Sequence, residues 1–175
     1  MPSTIRIALL AFAIVAAGAC SKPRDAKNPA APVTTAEAPL YAYAQTNDLR
    51  VAPQLTKGWH QIEDGGWRWM EKASQATLKN PRTFPAQFEV RLTLPKGTIA
   101  TVGGPVTLMV FLGDKKLGEE KYAKDGSYIF QKTVAPGTVG TQPIEVTLQV
   151  DRAKAPVPGG DIRELGAIIE GFGFR

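Results

Sequence analysis

The chain has 175 residues, of which 43% are hydrophobic and 21% are charged, and its formal net charge is +5. It contains one cysteine and one histidine, which excludes an internal disulfide and a multi-histidine zinc site. Basic residues are scattered and acidic residues are interleaved with them, as in residues 114–124. This pattern is typical of a solvated surface rather than of a nucleic-acid-binding stripe. We therefore expect no nucleic-acid partner, no metal and no cofactor.

A signal peptide is predicted at residues 1–19. Arg6 precedes a short apolar run, 7–19, and the last four residues of this run are alanine or glycine. A basic start, a short apolar stretch and a small-residue cleavage region are typical of a secretory signal. The run is too short to span a bilayer.

Cys20 directly follows this run, and the segment resembles the lipobox of bacterial lipoproteins. The resemblance implies that the Cys20 thiol is acylated and that the mature chain is anchored to a membrane of the bacterial cell envelope, facing the periplasm or the exterior. Ala17 stands where lipoboxes usually carry leucine. An ordinary secretory signal with an incidental cysteine and an uncleaved anchor therefore stay open as alternatives.

Residues 20–47 are predicted to be a tether between the anchor and a folded domain. The segment is rich in Pro, Ala, Thr and charged residues and has no sustained apolar period, which is typical of a flexible, partly polyproline-like linker. Leu40, Tyr41 and Tyr43 are the exception. We expect this part to dock on the domain as an edge segment.

Residues 48–175 are predicted to form one β domain of short strands separated by turns. Phe88, Val90, Leu92 and Leu94 alternate with polar residues, which is the period-two pattern of a half-buried strand. The same reasoning, with turn signals such as Asp125-Gly126, predicts eight or nine strands, the last of them in the closing stretch. The predicted strands are 58–63, 66–71, 76–78, 88–94, 106–112, 117–122, 127–134, 144–150 and, within 162–174, the closing strand.

This spacing of strands predicts an all-β fold, an antiparallel β-sandwich of the jelly-roll type. A closed antiparallel barrel is the alternative. No helix of useful length is predicted.

All three tryptophans and the only histidine lie in one window, residues 58–70. Aromatic rings can cover the C–H face of a sugar while charged and polar groups bond its hydroxyls, so Trp59, His60 and Trp67 are candidates for sugar contact. The simpler interpretation is packing. On a strand, Trp67 and Trp69 point to the same side, and two large rings on one side favour the core.

Two short motifs carry a resemblance that spans residues 49–174. Gly58-Trp59, Glu63 and Arg68-Trp69, together with 161–166, are similar to the opening and the last strand of a β-sandwich domain attached to bacterial cell-envelope glycosyltransferases and phosphoglycerol-transferase-like membrane proteins. The resemblance implies a galactose-binding-like jelly roll with an accessory role in contacting carbohydrate or envelope polymer.

Charged residues near the tryptophans complete the predicted ligand-binding set. Glu63 and Arg68 are expected to face each other across the 64–66 turn, with Arg163 joining them if the last strand lies beside the first. An exposed ion pair of this kind contributes only about 0–1 kcal/mol, and a purely structural role stays open. The predicted ligand-binding residues are Trp59, His60, Glu63, Trp67, Arg68 and Arg163.

Catalysis finds little support in the sequence. There is no Gly-x-Ser-x-Gly elbow to present a serine nucleophile. Glu63, Asp64 and Glu71 offer the paired carboxylates of a glycosidase, but hairpin carboxylates are usually solvated. We expect a protein that is not an enzyme.

The sequence therefore predicts a lipid-anchored, non-catalytic envelope protein that binds a carbohydrate or an envelope glycopolymer. The alternative is a structural or assembly accessory lipoprotein that binds an envelope protein partner through its β-sandwich. The two differ in where Trp59 and Trp67 lie. Exposed rings in a polar patch favour sugar binding, and burial of all three tryptophans favours a protein partner.

Overall fold

The computed structural model of the chain describes residues 38–175. The predicted signal peptide, Cys20 and most of the predicted tether lie outside the described residues. Within 38–175, helices are too short and too polar for any of them to act as a membrane span.

The described part of the chain is built from nine strands, and every pairing between them is antiparallel. The only helical segments in residues 38–175 are a short 3-10 helix, Leu49–Gln54, and a four-residue helix, α1 (Thr98–Thr101). The predicted all-β antiparallel fold is therefore confirmed. The strands are β1 (Tyr43–Gln45), β2 (Leu55–Ile62), β3 (Arg68–Leu78), β4 (Ala86–Leu94), β5 (Val106–Leu112), β6 (Lys115–Tyr122), β7 (Gly126–Val134), β8 (Ile144–Val150) and β9 (Ile168–Phe174).

Two strands differ from the sequence-based expectation. The predicted strands 66–71 and 76–78 are parts of one continuous strand, β3. The ninth strand is β1, which lies N-terminal to Asp48 and pairs with β9. Tyr43 thus docks as an edge segment, as expected.

Strand β3 joins the two halves of the sheet, whose order is β6-β5-β8-β3-β9-β4-β7. Its first residues, Arg68 and Trp69, pair with β9, whereas its second half, from Ala73 onward, pairs with β8. In addition to β8 and β9, β3 pairs with β2. The sheet folds on itself, because buried side chains from both halves form one continuous core.

The alternation of side chains between the two faces of each strand determines which of them fill this core. In β5, Val106, Leu108, Val110 and Leu112 are buried and the residues between them are half-buried. The largest fully buried side chains come from strands on both sides of the fold, which fills the space between the halves. They include Phe88, Phe130, Phe172, Met70, Leu92, Leu108, Leu148 and Ile169.

Candidate functional site

A tight turn between β2 and β3 presents Trp67. The backbone N–H of Glu63 donates to the Trp67 oxygen at 2.9 Å, and the N–H of Gly66 donates to the Glu63 oxygen at 2.8 Å. Gly66 has a φ of 76°, a left-handed conformation that glycine adopts without steric cost. The turn therefore sets the position of Trp67 at the start of β3.

Trp67, which directly precedes β3, and Trp69, within it, point outward, which is the reverse of the core interpretation. Trp67 is 41% exposed and Trp69 is half-buried, whereas Arg68 is 7% exposed and Met70 is fully buried. Because neighbouring side chains on a strand alternate, burying Arg68 and Met70 places both rings on the outer face.

Internal hydrogen bonds explain how Arg68 is accommodated inside. Its Nε donates to the Thr46 oxygen at 3.0 Å and its Nη1 donates to the His60 oxygen at 2.6 Å. Burial lowers the pKa of the Arg68 guanidinium. The predicted ion pair between Arg68 and Glu63 does not form, because the guanidinium is used to connect backbone segments.

Glu63 pairs with Arg163 instead. The distance from Arg163 Nη1 to Glu63 Oε1 is 2.6 Å, and Arg163 also binds Asp161 through Nε and Nη2, each at 2.9 Å. The hydrogen bonds from Arg163 lower the pKa of Asp161 to about 2. This cluster ties the β2–β3 turn to the segment before β9, so two of the predicted residues meet in the structure.

Trp59 and His60 are also held by internal contacts. The Trp59 ring stacks on Phe172 with centroids 5.4 Å apart, and its Nε1 donates to the Gln75 oxygen at 2.8 Å. The His60 Nε2 donates to the Glu164 oxygen at 2.7 Å. Of the six predicted ligand-binding residues, Trp67 is the one that presents an exposed ring.

Trp67 borders an open depression of about 400 Å³, here termed the Trp67 depression. Its ring lies against Gly65, where an added Cβ would come within 1.6 Å of a ring carbon. Thr93 Oγ1 lies 2.8 Å from Ser127 Oγ and 3.3 Å from Glu170 Oε1. The depression thus combines an aromatic ring with hydroxyl and carboxylate groups. It is lined by Gly65, Gly66, Trp67, Thr93, Pro95, Ile168 and Glu170.

Sequence reasoning missed Thr93, Pro95 and Glu170. Glu170 carried a usable signal, since it is the one charged residue between Gly166 and Phe174. A charged residue inside an otherwise apolar strand marks its solvent-facing side. Pro95 directly follows β4, which ends at Leu94, and gives no such signal.

Two further depressions adjoin the Trp67 depression through shared residues. Pro95 also lines the Trp69 depression, about 190 Å³, which contains Trp69, Lys96 and Lys154. Glu170 also lines the arginine depression, about 280 Å³, which contains Tyr43, Gln45, Arg91, Gly171 and Arg175. The three depressions together form one outer face across β3, β9 and β4.

A larger cavity of about 760 Å³ lies elsewhere, between the loops at 79–84 and 140–143. It contains none of the predicted residues. Asn80 donates through Nδ2 to the Gly140 and Gln142 oxygens, so the polar contacts there join two loops. We therefore place the candidate site at Trp67.

The three carboxylates that the sequence offers for catalysis differ in their surroundings. Glu63 is bound to Arg163, while Asp64 is exposed and Glu71 is half-buried. Within residues 38–175 there is no group of three or more His, Cys, Asp or Glu side chains that could hold a metal ion.

Comparison with known proteins identifies a fold but no family. No family model matches the chain, and no curated protein matches its sequence. Solved structures do match. One is a family GH115 4-O-methyl-α-glucuronidase, BtGH115A, with specificity for decorated arabinogalactans, at 12% sequence identity and a TM-score of 0.50. The match covers 81% of this chain and 18% of the enzyme. The described chain thus shares its antiparallel β architecture with a small part of a carbohydrate-active enzyme.

Proposed function

We propose that this protein is a non-catalytic carbohydrate-binding protein of the bacterial cell envelope, anchored by lipid at Cys20, and that a sugar ring packs on Trp67. The observation that carries the proposal is the exposed Trp67 ring beside Thr93 and Glu170. The large cavity at 79–84 and 140–143 is also lined by a ring and a hydroxyl, those of Phe84 and Thr141. The Phe84 ring packs against the hydrophobic core, however, whereas Trp67 is 41% exposed.

The physical argument begins with the apolar surface of Trp67. Burying a large apolar side chain stabilises a protein by about 1.5–3 kcal/mol, yet here Arg68 is inside and Trp67 is outside. A bound sugar would remove the Trp67 ring from water, because its C–H face covers the indole while its hydroxyl groups bond Thr93 and Glu170. Both polar side chains border the same depression as the ring.

The number of carboxylates at the Trp67 depression supports binding without hydrolysis. Glycosidases generally use two carboxyl groups on opposite sides of the scissile bond. The Trp67 depression is lined by a single carboxylate, that of Glu170, and Glu63 is engaged by Arg163.

The envelope location rests on the N-terminal sequence. Residues 1–19 have the form of a secretory signal, and Cys20 follows where lipoproteins carry their acylated residue. The fold similarity to part of an enzyme that acts on decorated arabinogalactans fits a carbohydrate ligand.

The proposal is tested by binding of the full-length chain, purified in detergent, to an array of immobilised neutral and acidic oligosaccharides. Trp67→Ala is expected to weaken binding at least about tenfold, or about 1.4 kcal/mol, and Trp67→Phe to retain most of it. Val157→Ala is the matched control, because Val157 is exposed and borders none of the three depressions. Absence of binding to every oligosaccharide, or full binding by Trp67→Ala, would overturn the proposal.

A protein partner is the second candidate. That alternative predicts burial of all three tryptophans, and the exposed ring of Trp67 argues against it. The other exposed large apolar residues in 38–175 are Leu49, Ile129, Val157 and Ile162. Val157 and Ile162 lie in one loop, between β8 and β9, whereas Leu49 and Ile129 lie elsewhere along the chain.

A further inference from the structure

The arginine depression contains two guanidinium groups oriented by one buried carboxylate. Glu89 lies on the outer face of β4 but is only 4% exposed. Its Oε1 accepts from Arg91 Nε at 2.8 Å and lies 3.0 Å from Arg175 Nε. The Glu89 carboxylate therefore compensates one of two positive charges at this position.

Other contacts of Glu89 keep it ionised and in place. Tyr43 donates its hydroxyl to Oε1 at 3.2 Å and Gln131 donates to Oε2 at 2.9 Å. Desolvation raises the pKa of Glu89, but hydrogen bonds from Arg91 and Gln131 and the charge of Arg175 outweigh it and lower the pKa to about 2. The carboxylate is thus charged at neutral pH and holds both arginines.

The two guanidinium groups are also accessible. The side chains of Arg91 and Arg175 are 44% and 46% exposed. Each approaches Glu89 through Nε, and Arg175 lies over the Tyr43 ring at 4.1 Å. Arginines positioned in this way before binding lose little further freedom when they contact an oxyanion. This pair has the geometry of a prearranged anion site.

The arginine depression is continuous with the Trp67 depression. Glu170 lines both, and Arg91 and Thr93 are alternate residues on the outer face of β4. Their separation along a strand is about 6.6 Å. One ligand with adjoining units can therefore contact both places.

Charge along the whole face favours an acidic ligand. Four cationic side chains line the three depressions, Arg91 and Arg175 at one end and Lys96 and Lys154 at the other. Glu170 is the one acidic side chain that lines them, and Glu89 lies beneath the arginines. The aromatic part, with Glu170, lies between two basic ends.

From this arrangement, and resting on the proposed function, we infer that the ligand is an acidic glycan chain. An anionic group on one unit binds Arg91 and Arg175 while a neighbouring ring packs on Trp67. The shared chemistry is an oxyanion attached to a sugar, either a carboxylate or a phosphate. Such groups form charge-assisted hydrogen bonds with arginine that are stronger than bonds between neutral groups.

The test compares matched acidic and neutral probes on the full-length chain in detergent at low ionic strength. The probes are oligogalacturonides and their methyl esters, and mannose oligosaccharides with and without a 6-phosphate. We expect the acidic form of at least one pair to bind about tenfold or more tightly, with the preference decreasing as salt is added. The two pairs distinguish a carboxylate from a phosphate.

The variant Glu89→Gln/Arg91→Gln/Arg175→Gln removes both cations without leaving the buried carboxylate unpaired. It is expected to abolish the acidic preference and retain binding of the neutral probe. Lys115→Gln/Lys121→Gln removes two positive charges outside the three depressions and is expected to keep the preference. Circular dichroism and thermal unfolding confirm that each variant is folded.

The outcomes separate this inference from the proposed function. If the acidic form of neither pair binds more tightly than its neutral partner, or if the triple variant retains the preference, the inference is refuted, while binding to any array oligosaccharide leaves the proposed glycan binding standing. If none of the probes and none of the array oligosaccharides binds, both are refuted.

Discussion

Replacing Arg68 tests the central structural explanation for the outward tryptophans. Arg68→Ala removes the donors that reach the Thr46 and His60 oxygens at 3.0 and 2.6 Å. Leaving a buried acceptor without its partner costs about 1–3 kcal/mol, and relief from burying a charge offsets part of the loss. We expect the free energy of unfolding to fall by about 2–4 kcal/mol.

The assay is urea unfolding of the full-length chain, followed by tryptophan fluorescence and far-ultraviolet circular dichroism. Arg68→Met keeps an apolar stem in the core and is expected to be less destabilising than Arg68→Ala. Arg82→Ala is the control, since Arg82 is exposed, and a change within about 0.5 kcal/mol is expected there.

A result within about 0.5 kcal/mol of the wild type for Arg68→Ala would refute this reasoning. It would mean that the two backbone oxygens are satisfied in another way. Weaker sugar binding by Arg68→Met at unchanged stability would instead indicate that Arg68 acts through the position of Trp67.

Three further changes test other parts of the structure. Because the folded-state pKa of Glu89 is lowered to about 2, its contribution to the free energy of unfolding is fully present above about pH 4.5 and is lost as the pH falls toward 2. This contribution is at most about 3 kcal/mol. In acid unfolding of Glu89→Gln, the decrease of stability with falling pH should lack this part. At Gly173, with φ of 139°, an added Cβ would lie 2.2 Å from the Ala42 oxygen, so Gly173→Ala should lower the unfolding free energy by about 1–3 kcal/mol. Gly137→Ala is its control, having positive φ but open space, and an equal loss in both would contradict a steric clash. Cys20→Ser should abolish incorporation of radioactive palmitate in bacterial cells, and labelling equal to that of the wild type would exclude the anchor.

The positions of strands were predictable from the sequence where apolar and polar residues alternate along a strand that buries one face. β8 occurs at its predicted position, because its apolar residues alternate with polar ones and Val146, Leu148 and Val150 are buried. β5 also occurs where predicted, but Met109 and Phe111 make its second face largely apolar, and that face is half-buried rather than buried. β1 was harder to foresee, since three residues show no period and its pairing with β9 joins residues far apart in sequence.

The side to which Trp67 and Trp69 point could not be predicted from alternation. The period of two places both rings on one side of β3, but it does not say which side is buried. That choice depends on carbonyl oxygens of Thr46 and His60, which reach the Arg68 guanidinium only after folding. The pairing of Glu63 with Arg163 rather than with Arg68 also depends on contacts that form only after folding. The chain segment before β9 brings Arg163 to Glu63.

Strand β3 belongs to both halves of the sheet, which has a thermodynamic consequence for ligand binding. A ligand that contacts Trp67 binds at the end of a strand whose unfolding separates both halves from each other. Binding to the folded state alone stabilises by RT ln(1 + [L]/Kd). Because β3 is shared, this gain should extend to amides in β5 and β8 as well as those beside the ligand. If a sugar binds at Trp67 as proposed, hydrogen exchange should therefore slow across the whole domain.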